Sequence, residues 1–300
     1  IRLSGRSLCE LDLLATGALS PLDRFMGEAD YRRVVSEMRL ANGTLFPSPV
    51  VLLVDDATIT VGSEIVLRGS KNEMMAILQV EEIFQAASAP EAGPEIGGGL
   101  CVSGPMKVFS LAAHFDFPAL RGTPASVRAS LGGGNVLAFQ TRGYFHRPQE
   151  VLAKSAARGL GARLLVQPVA GLAQQGDMER YTRLRTFMAL AVNAETADAF
   201  SLLTLPGRVA GDREMIWQAI LARNFGANHL IAAPDDSSHS QSAAVIERIA
   251  AYTSEIGVKM VPYEELAYVP DEDRYCETRA VPANKTAHTL SDDRAVDEYL

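Results

Sequence analysis

The residue types able to do chemistry gather in one stretch, Gln140-Thr141-Arg142-Gly143-Tyr144-Phe145-His146-Arg147-Pro148-Gln149-Glu150. Arg142 and Arg147 are permanent cations whose planar guanidinium suits oxyanions. His146 adds a ring N–H donor. Pro148 fits the first turn of a helix. A helix amino end brings unpaired backbone N–H groups and partial positive charge. Together these groups suit a tetrahedral oxyanion, phosphate or sulfate. The same residues also fit an ordinary strand-to-helix turn, with Gln140 and Arg142 as loop residues and His146 as a capping group. Glycine-rich phosphate loops are absent here, because Gly132-Gly133-Gly134 precedes the apolar run Val136–Phe139 instead of following it.

The elements that must position this turn alternate. Val136–Phe139, Leu164–Val166, Phe200–Leu205, His229–Ala233 and Val258–Val261 read as strands. Between them, Pro148–Leu160, Glu179–Asn193, Asp212–Asn224 and Gln241–Ile256 read as helices, with Gly159/Gly161 and Gly226 as stops. Strict alternation predicts a parallel sheet covered by helices, with ligands at the carboxyl ends of its strands. Residues 1–130 read differently. Val50–Val54, Thr58–Val61, Glu64–Leu67, Met75–Val80 and Lys107–Leu111 are short strand-type runs separated by turn residues, with one helix over Glu28–Met38. The stretch Ala86–Gly99 reads as a loop, and Gly122–Gly134 as the linker. The expected division is therefore 1–130, a β-rich domain, and 131–300, an α/β domain.

Composition narrows the function classes. Lys and Arg number 28 against 36 Asp and Glu, a net charge of −8, with 47% hydrophobic and 21% charged residues. That is a globular composition, not a disordered, collagenous or coiled-coil one. The negative balance argues against nucleic-acid binding. No apolar run reaches the length of a membrane span. Cys9, Cys101 and Cys276 are odd in number and widely spaced, which predicts reduced thiols in a cytoplasmic protein. No signal-type segment opens the sequence. Asp292–Leu300 reads as an interrupted helix, so the chain is expected to be part of a longer protein.

Several segments carry a family resemblance. The turn resembles the Gln-Thr-Arg-Asn-Pro-x-His-x-x-His motif of the ATP sulfurylases (sulfate adenylyltransferases). Ser20-Pro21-Leu22-Asp23-Arg24-Phe25-Met26 resembles that family's Ser-Pro-Leu-x-x-Phe-Met, and Gly43-Thr44-Leu45-Phe46-Pro47-Ser48-Pro49-Val50 follows its pattern closely. Ala210-Gly211-Asp212-Arg213-Glu214, Arg223–His229 and Val269–Tyr275 also resemble family segments. The resemblance implies a PUA-like N-terminal β domain followed by a Rossmann-like nucleotidyltransferase α/β domain. It implies ATP and sulfate, or adenosine 5′-phosphosulfate, as ligands, with Mg²⁺ accompanying ATP, and a homo-oligomer. Some sulfurylase chains continue into an adenylylsulfate kinase domain. Carried over position by position, Gln140, Thr141 and Arg142 match the sulfate-binding residues, and Arg208 lies where the family has an Arg. His146 matches the first of two His on the ATP phosphates, and with Arg142 it is the catalytic expectation.

The departures are specific. Gly143 replaces the family's Asn, and Gln149 its second His, which leaves a neutral donor in place of a chargeable one. The family's Gly-Arg-Asp-His-Ala-Gly loop is Ala233-Pro234-Asp235-Asp236-Ser237-Ser238 here. Asp235 keeps the nucleotide-binding position and Ser237 the substrate-binding one. Pro234 and Asp236 replace a cation and a donor. At about 4 Å such charges interact by roughly 4 kcal/mol, so exchanging attraction for repulsion predicts weakened turnover. Thr289–Asp293 also departs from the family pattern. Two readings follow: a divergent working enzyme, or an impaired sulfurylase-like module fused to a kinase. Arg213 and Glu214 read as ties from a helix start to neighbouring loops, and Trp217 as core. His114, His229 and His239 carry no metal-ligand spacing, and Asp271-Glu272-Asp273, which could invite a cation, reads as a solvated loop.

Overall fold

The computed structural model describes residues 1–288 apart from 88–95, 97, 113–115, 173–177, 193–195, 208–211 and 233–241, and without the side chains of 242–245. The chain forms two compact units, Ile1–His114 with Thr204–Asn224, and Phe115–Leu203 with Phe225–Leu300.

In the first unit, α1 (Gly5–Ala15) starts where Ser4 Oγ accepts the Ser7 N–H at 3.0 Å. The amphipathic α2 (Glu28–Glu37) buries Tyr31 and Val34 and stops at Met38 in the left-handed region, φ 57°. Short strands follow: β1 (Leu52–Val54), β2 (Glu64–Arg68), β3 (Met74–Gln79), β4 (Glu82–Gln85), β5 (Leu100–Ser103) and β6 (Met106–Val108). They pair antiparallel in two three-stranded sheets, β1-β5-β4 and β2-β3-β6. The strand expected over Thr58–Val61 is a turn instead. Asp56 Oδ1 accepts from Thr58 N at 2.9 Å and Thr58 Oγ1 at 2.6 Å, a local bond that outcompetes a ladder. The helix Asp212–Asn224 belongs to this unit. Arg213 Nη1 donates to the carbonyls of Val34 (2.9 Å) and Pro47 (3.1 Å), and Nη2 to Val35 (2.7 Å). Trp217, 4% exposed, meets Phe46 edge-on at 5.4 Å. The tie expected of Arg213 and the core position expected of Trp217 are both present.

The second unit begins with α3 (Pro124–Leu131), in the middle of the stretch expected to be a linker. Composition misleads there. Thr123 caps the Ser126 N–H at 3.2 Å, Pro124 opens the helix, and Val127 and Leu131, four apart, are buried. Then come β7 (Asn135–Thr141), α4 (Arg147–Leu160), β8 (Ala162–Ala170) and α5 (Met178–Val192). The expected strand Phe200–Leu205 is two short pieces, β9 (Ala199–Phe200) and β10 (Leu203–Thr204). With α6 the helix Asp212–Asn224 of the first unit, there follow β11 (His229–Ala232), α7 (Ser242–Ile249), α8 (Thr253–Ile256) and β12 (Lys259–Met260). A hairpin of β13 (Leu266–Val269) and β14 (Arg274–Glu277) follows. At its tip, Glu272 pairs with Arg274 and Lys285, and Tyr268 donates to Asp273, so two members of the acidic run Asp271-Glu272-Asp273 are held by cations and a phenol.

The sheet is parallel through β9, β8, β7, β11 and β12 in that spatial order. One face buries Leu137, Phe139, Leu164, Val166 and Ile231 against α4 and α5, through Ala153, Ala157, Leu184 and Phe187. Among the described residues no helix is long and apolar enough to cross a membrane. The three cysteines are free thiols.

Candidate functional site

The chain leaves β7 toward β8 and β9 on one side, and returns to build β11 and β12 on the other. The strand order therefore reverses between β7 and β11, and the loops at such a reversal leave a crevice at the carboxyl ends. Gln140 stands opposite Ala232 on one neighbour and opposite Gln167 on the other. The expected anion turn is the loop leaving β7 at this point.

Gln140 is 1% and Thr141 3% exposed. Gln140 Nε2 donates to Gln167 Oε1 at 2.9 Å. Thr141 Oγ1 accepts the Gly143 N–H at 3.1 Å, which tightens the turn. Arg142 follows, half-buried, at the top of the loop. Phe145 is the loop's anchor. It is 1% exposed, with its ring 5.0 Å from Phe139 and 6.3 Å from Phe187. Burying that ring fixes His146, the next residue, as the N-cap of α4, with extended backbone at φ −85°, ψ 167°. Gln149 Oε1 accepts the His146 N–H at 3.3 Å, the return half of a capping box. Gln149 is thus a buried capping residue of α4, 6% exposed.

Charge at the helix start is partly internal. Glu150, 3% exposed, accepts from Arg147 Nη1 at 3.0 Å and Lys154 Nζ at 2.5 Å. Arg147, read from sequence as a fixed cation for a ligand, is engaged in this pair. Arg142 and the amino end of α4 also bring positive charge to the turn.

Gln140, Thr141, Arg142, His146 and Gln149 are therefore brought together on one strand end and one helix start. Arg208, Asp235 and Ser237, with Pro234, Asp236, His114 and His239, lie outside the described residues. Gln167 is a site neighbour the sequence reading missed. Its signal was an isolated amide in the apolar run Leu164-Leu165-Val166-Gln167-Pro168-Val169-Ala170. His229 opens β11 with Nδ1 2.8 Å from Asn228 Oδ1, at the opposite end of that strand from the turn.

Comparison with known proteins fits this arrangement. An ATP-sulfurylase family model matches residues 118–300, and a PUA-like domain model matches residues 1–94. A sulfate adenylyltransferase of Chaetomium globosum is 36% identical over 314 residues, covering 93% of this chain and 55% of that protein. One from Saccharomyces cerevisiae is 34% identical over 315 residues, covering 95% and 62%. The solved structure described as "Hexameric APS kinase from Thiobacillus denitrificans" superposes with a TM-score of 0.80 at 29% identity, over 99% of this chain and 58% of that one. The chain thus spans little more than half the length of these relatives. With a PUA-like domain ahead of a parallel α/β sheet that bears the matching turn, the chain belongs to the ATP-sulfurylase family.

Proposed function

We propose that the protein transfers the adenylyl group of ATP to sulfate, giving adenosine 5′-phosphosulfate and pyrophosphate. One observation carries the reading: Gln140, Thr141, Arg142 and the His146-capped start of α4 meet where the strand order of the sheet reverses. In this reading a sulfate oxygen attacks the α-phosphorus, and the bond from that phosphorus to the bridging oxygen of pyrophosphate breaks. Sulfate carries no proton at neutral pH, so the protein needs donors that hold two anions in line rather than a general base. The Gln140 amide and the Arg142 guanidinium hold sulfate. His146 and the first N–H groups of α4 hold nucleotide phosphates. Arg208, Ser237 and Asp235 complete the set by resemblance. The donor set fits a metal that arrives on the nucleotide: amides, guanidinium and imidazole suit phosphate oxygens, and among the described residues no group of three His, Cys, Asp or Glu is placed to hold a cation. Mg²⁺ bound with ATP would draw charge from the leaving pyrophosphate.

A second reading is favoured by Gln149, whose side-chain oxygen is committed to the helix cap where the family's second histidine stands. With Pro234 and Asp236 it supports a domain that binds anions but turns over poorly, as a regulatory part of a fusion with an adenylylsulfate kinase. The solved kinase structure supports such a fusion and a homo-oligomeric state. Free thiols support a cytoplasmic setting.

The test is sulfate-dependent pyrophosphate release with ATP and Mg²⁺, run beside ATP and sulfate calorimetry. The first reading expects turnover that Arg142→Ala lowers by about 100-fold. Binding without turnover selects the second, in which Pro234→Arg combined with Asp236→His should raise the rate. Neither binding nor turnover would sink both.

A further inference from the structure

Much of the first turn of α4 is satisfied by its own residues. Pro148 has no N–H to offer. The N–H groups of Gln149 and Glu150 both run back to the His146 carbonyl, at 2.9 and 3.1 Å. The His146 N–H goes to Gln149 Oε1 at 3.3 Å. Glu150, 3% exposed, adds a buried carboxylate to the same turn. An anion arriving at this helix start meets a side-chain oxygen and a negative charge already in place.

The sense of the Gln149 amide is fixed by its partner. A backbone N–H can only donate, so the end of the amide that it meets is the carbonyl oxygen. At 3.3 Å this bond is longer than the usual N–H···O contact of about 2.9–3.0 Å, and both partners are neutral. A phosphate oxygen brings charge, and a charge-assisted hydrogen bond is roughly twice as strong as a neutral one. Exchanging the carboxamide for a phosphate at the His146 N–H therefore runs downhill, but less far than binding to an open N–H. The role implied by resemblance gives Gln149 the opposite part. In the place of a histidine it would donate from Nε2 to the nucleotide. Here its oxygen is turned instead to a donor that the nucleotide needs.

We infer that Gln149 is an internal competitor of ATP: its side-chain oxygen holds the His146 N–H that a nucleotide phosphate takes, and ATP binds by displacing it. Gln149 thereby sets the affinity of the site without being a catalytic residue. The inference rests on the proposed function, since it takes the start of α4 as the place of the nucleotide phosphates. The sign of the effect is diagnostic. Removing the acceptor at position 149 should tighten ATP. Loss of a donor to phosphate, or of a cap needed for the shape of the turn, would loosen it. Sulfate, assigned to Gln140 and Arg142 at the end of β7, should not respond.

The experiment is calorimetric titration with ATP and Mg²⁺, and separately with sulfate, of the unaltered protein and of Gln149→Met. Methionine keeps the side-chain length and removes both ends of the amide. Titrations are run at a temperature where melting curves show both proteins fully folded. Gln149→Met should bind ATP about fivefold more tightly, the worth of one neutral hydrogen bond that no longer has to be broken. Its sulfate affinity should stay within about twofold of the unaltered protein's. ATP binding that appears only in Gln149→Met also supports the inference. Equal or weaker ATP binding by Gln149→Met, or equal tightening of ATP and sulfate, would each overturn it while leaving the proposed function standing. Absence of ATP binding by both proteins would overturn the proposed function and this inference with it. Should Gln149→Met fail to fold, ¹⁵N relaxation of the Gln149 side-chain amide in the unaltered protein decides the matter. Displacement should make that amide more mobile when ATP is bound, and an amide that becomes no more mobile overturns the inference.

Discussion

Asp116 shows how a single carboxylate is set by its neighbours. Its Oδ1 accepts from Arg121 Nη2 at 2.8 Å, and its Oδ2 from Arg180 Nη1 and Nη2 at 3.2 Å each. Burial pushes the carboxyl up, but the charges and hydrogen bonds of Arg121 and Arg180 together outweigh it and hold it below the ordinary carboxylate range. The folded-state value is thus the depressed one. The stabilisation it brings is complete above the unfolded value, about pH 4, and is lost as pH falls through the lower folded value. Asp116→Asn should destabilise the protein by on the order of 3 kcal/mol at pH 7, because it removes the carboxylate that Arg121 and Arg180, the latter 4% exposed, share. Melting curves at a series of pH values should show the gap to the unaltered protein closing below about pH 4. A gap that stays constant with pH would mean that the loss is one of packing. The sequence announces the charges at 116, 121 and 180 but not their meeting, since 64 residues separate the outer pair.

At the scale of elements, the turn that leaves β7 owes its shape to a ring. Phe145 lies between β7 and α5 through Phe139 and Phe187, and the cap of α4 begins at the next residue. Phe145→Ala should cost about 3–4 kcal/mol of stability. It should also weaken anion binding beyond what the destabilisation explains, because His146 and Arg142 flank the lost anchor. Urea unfolding gives the first quantity, and calorimetry at a temperature where the variant is fully folded gives the second. Sulfate and ATP affinities equal to those of the unaltered protein would show that backbone hydrogen bonds alone hold the turn. The alternation of strand and helix from β7 to β12 was legible in the sequence because periods of two and 3.6 are local properties. The helix α3 was not legible. Its Gly, Ser and Pro content reads as linker, and only the burial of Val127 and Leu131 makes it a helix. Thr58–Val61 failed the other way: β-branched residues suggested a strand, and Asp56 made a turn.

At the scale of the molecule, the first unit is discontinuous in sequence, because Thr204–Asn224 completes it. Arg213 satisfies carbonyls at the end of α2, Asn224 Nδ2 donates to Ala18 O at 2.8 Å and Ser20 O at 2.9 Å, and Trp217 packs on Phe46. A fragment of residues 1–130 lacks all three contacts and exposes the face that α6 covers. It should melt without a cooperative transition by circular dichroism. Residues 1–114 joined to 204–224 through a flexible Gly/Ser linker should recover one. A sharp melt from 1–130 alone would show that the β sheets suffice. The net charge of −8 is a property of the whole chain and opposes anions at long range. Beyond a Debye length of about 8–10 Å it is screened, so the local arrangement at Arg142 decides.

By itself the sequence determined the two-part architecture, the run of alternating elements, the family and the identity of the turn, because all of these are written in contiguous motifs and short periods. It took the tertiary structure to show that Gln167 accepts from Gln140, that Gln149 closes a helix and that Arg147 answers Glu150 rather than standing open as a cation. It also decided that α6 belongs with residues 1–114. The reason is common to the parallel register and the distant packing: a partner tens of residues away is chosen by how strands align and faces bury. No local propensity records that choice.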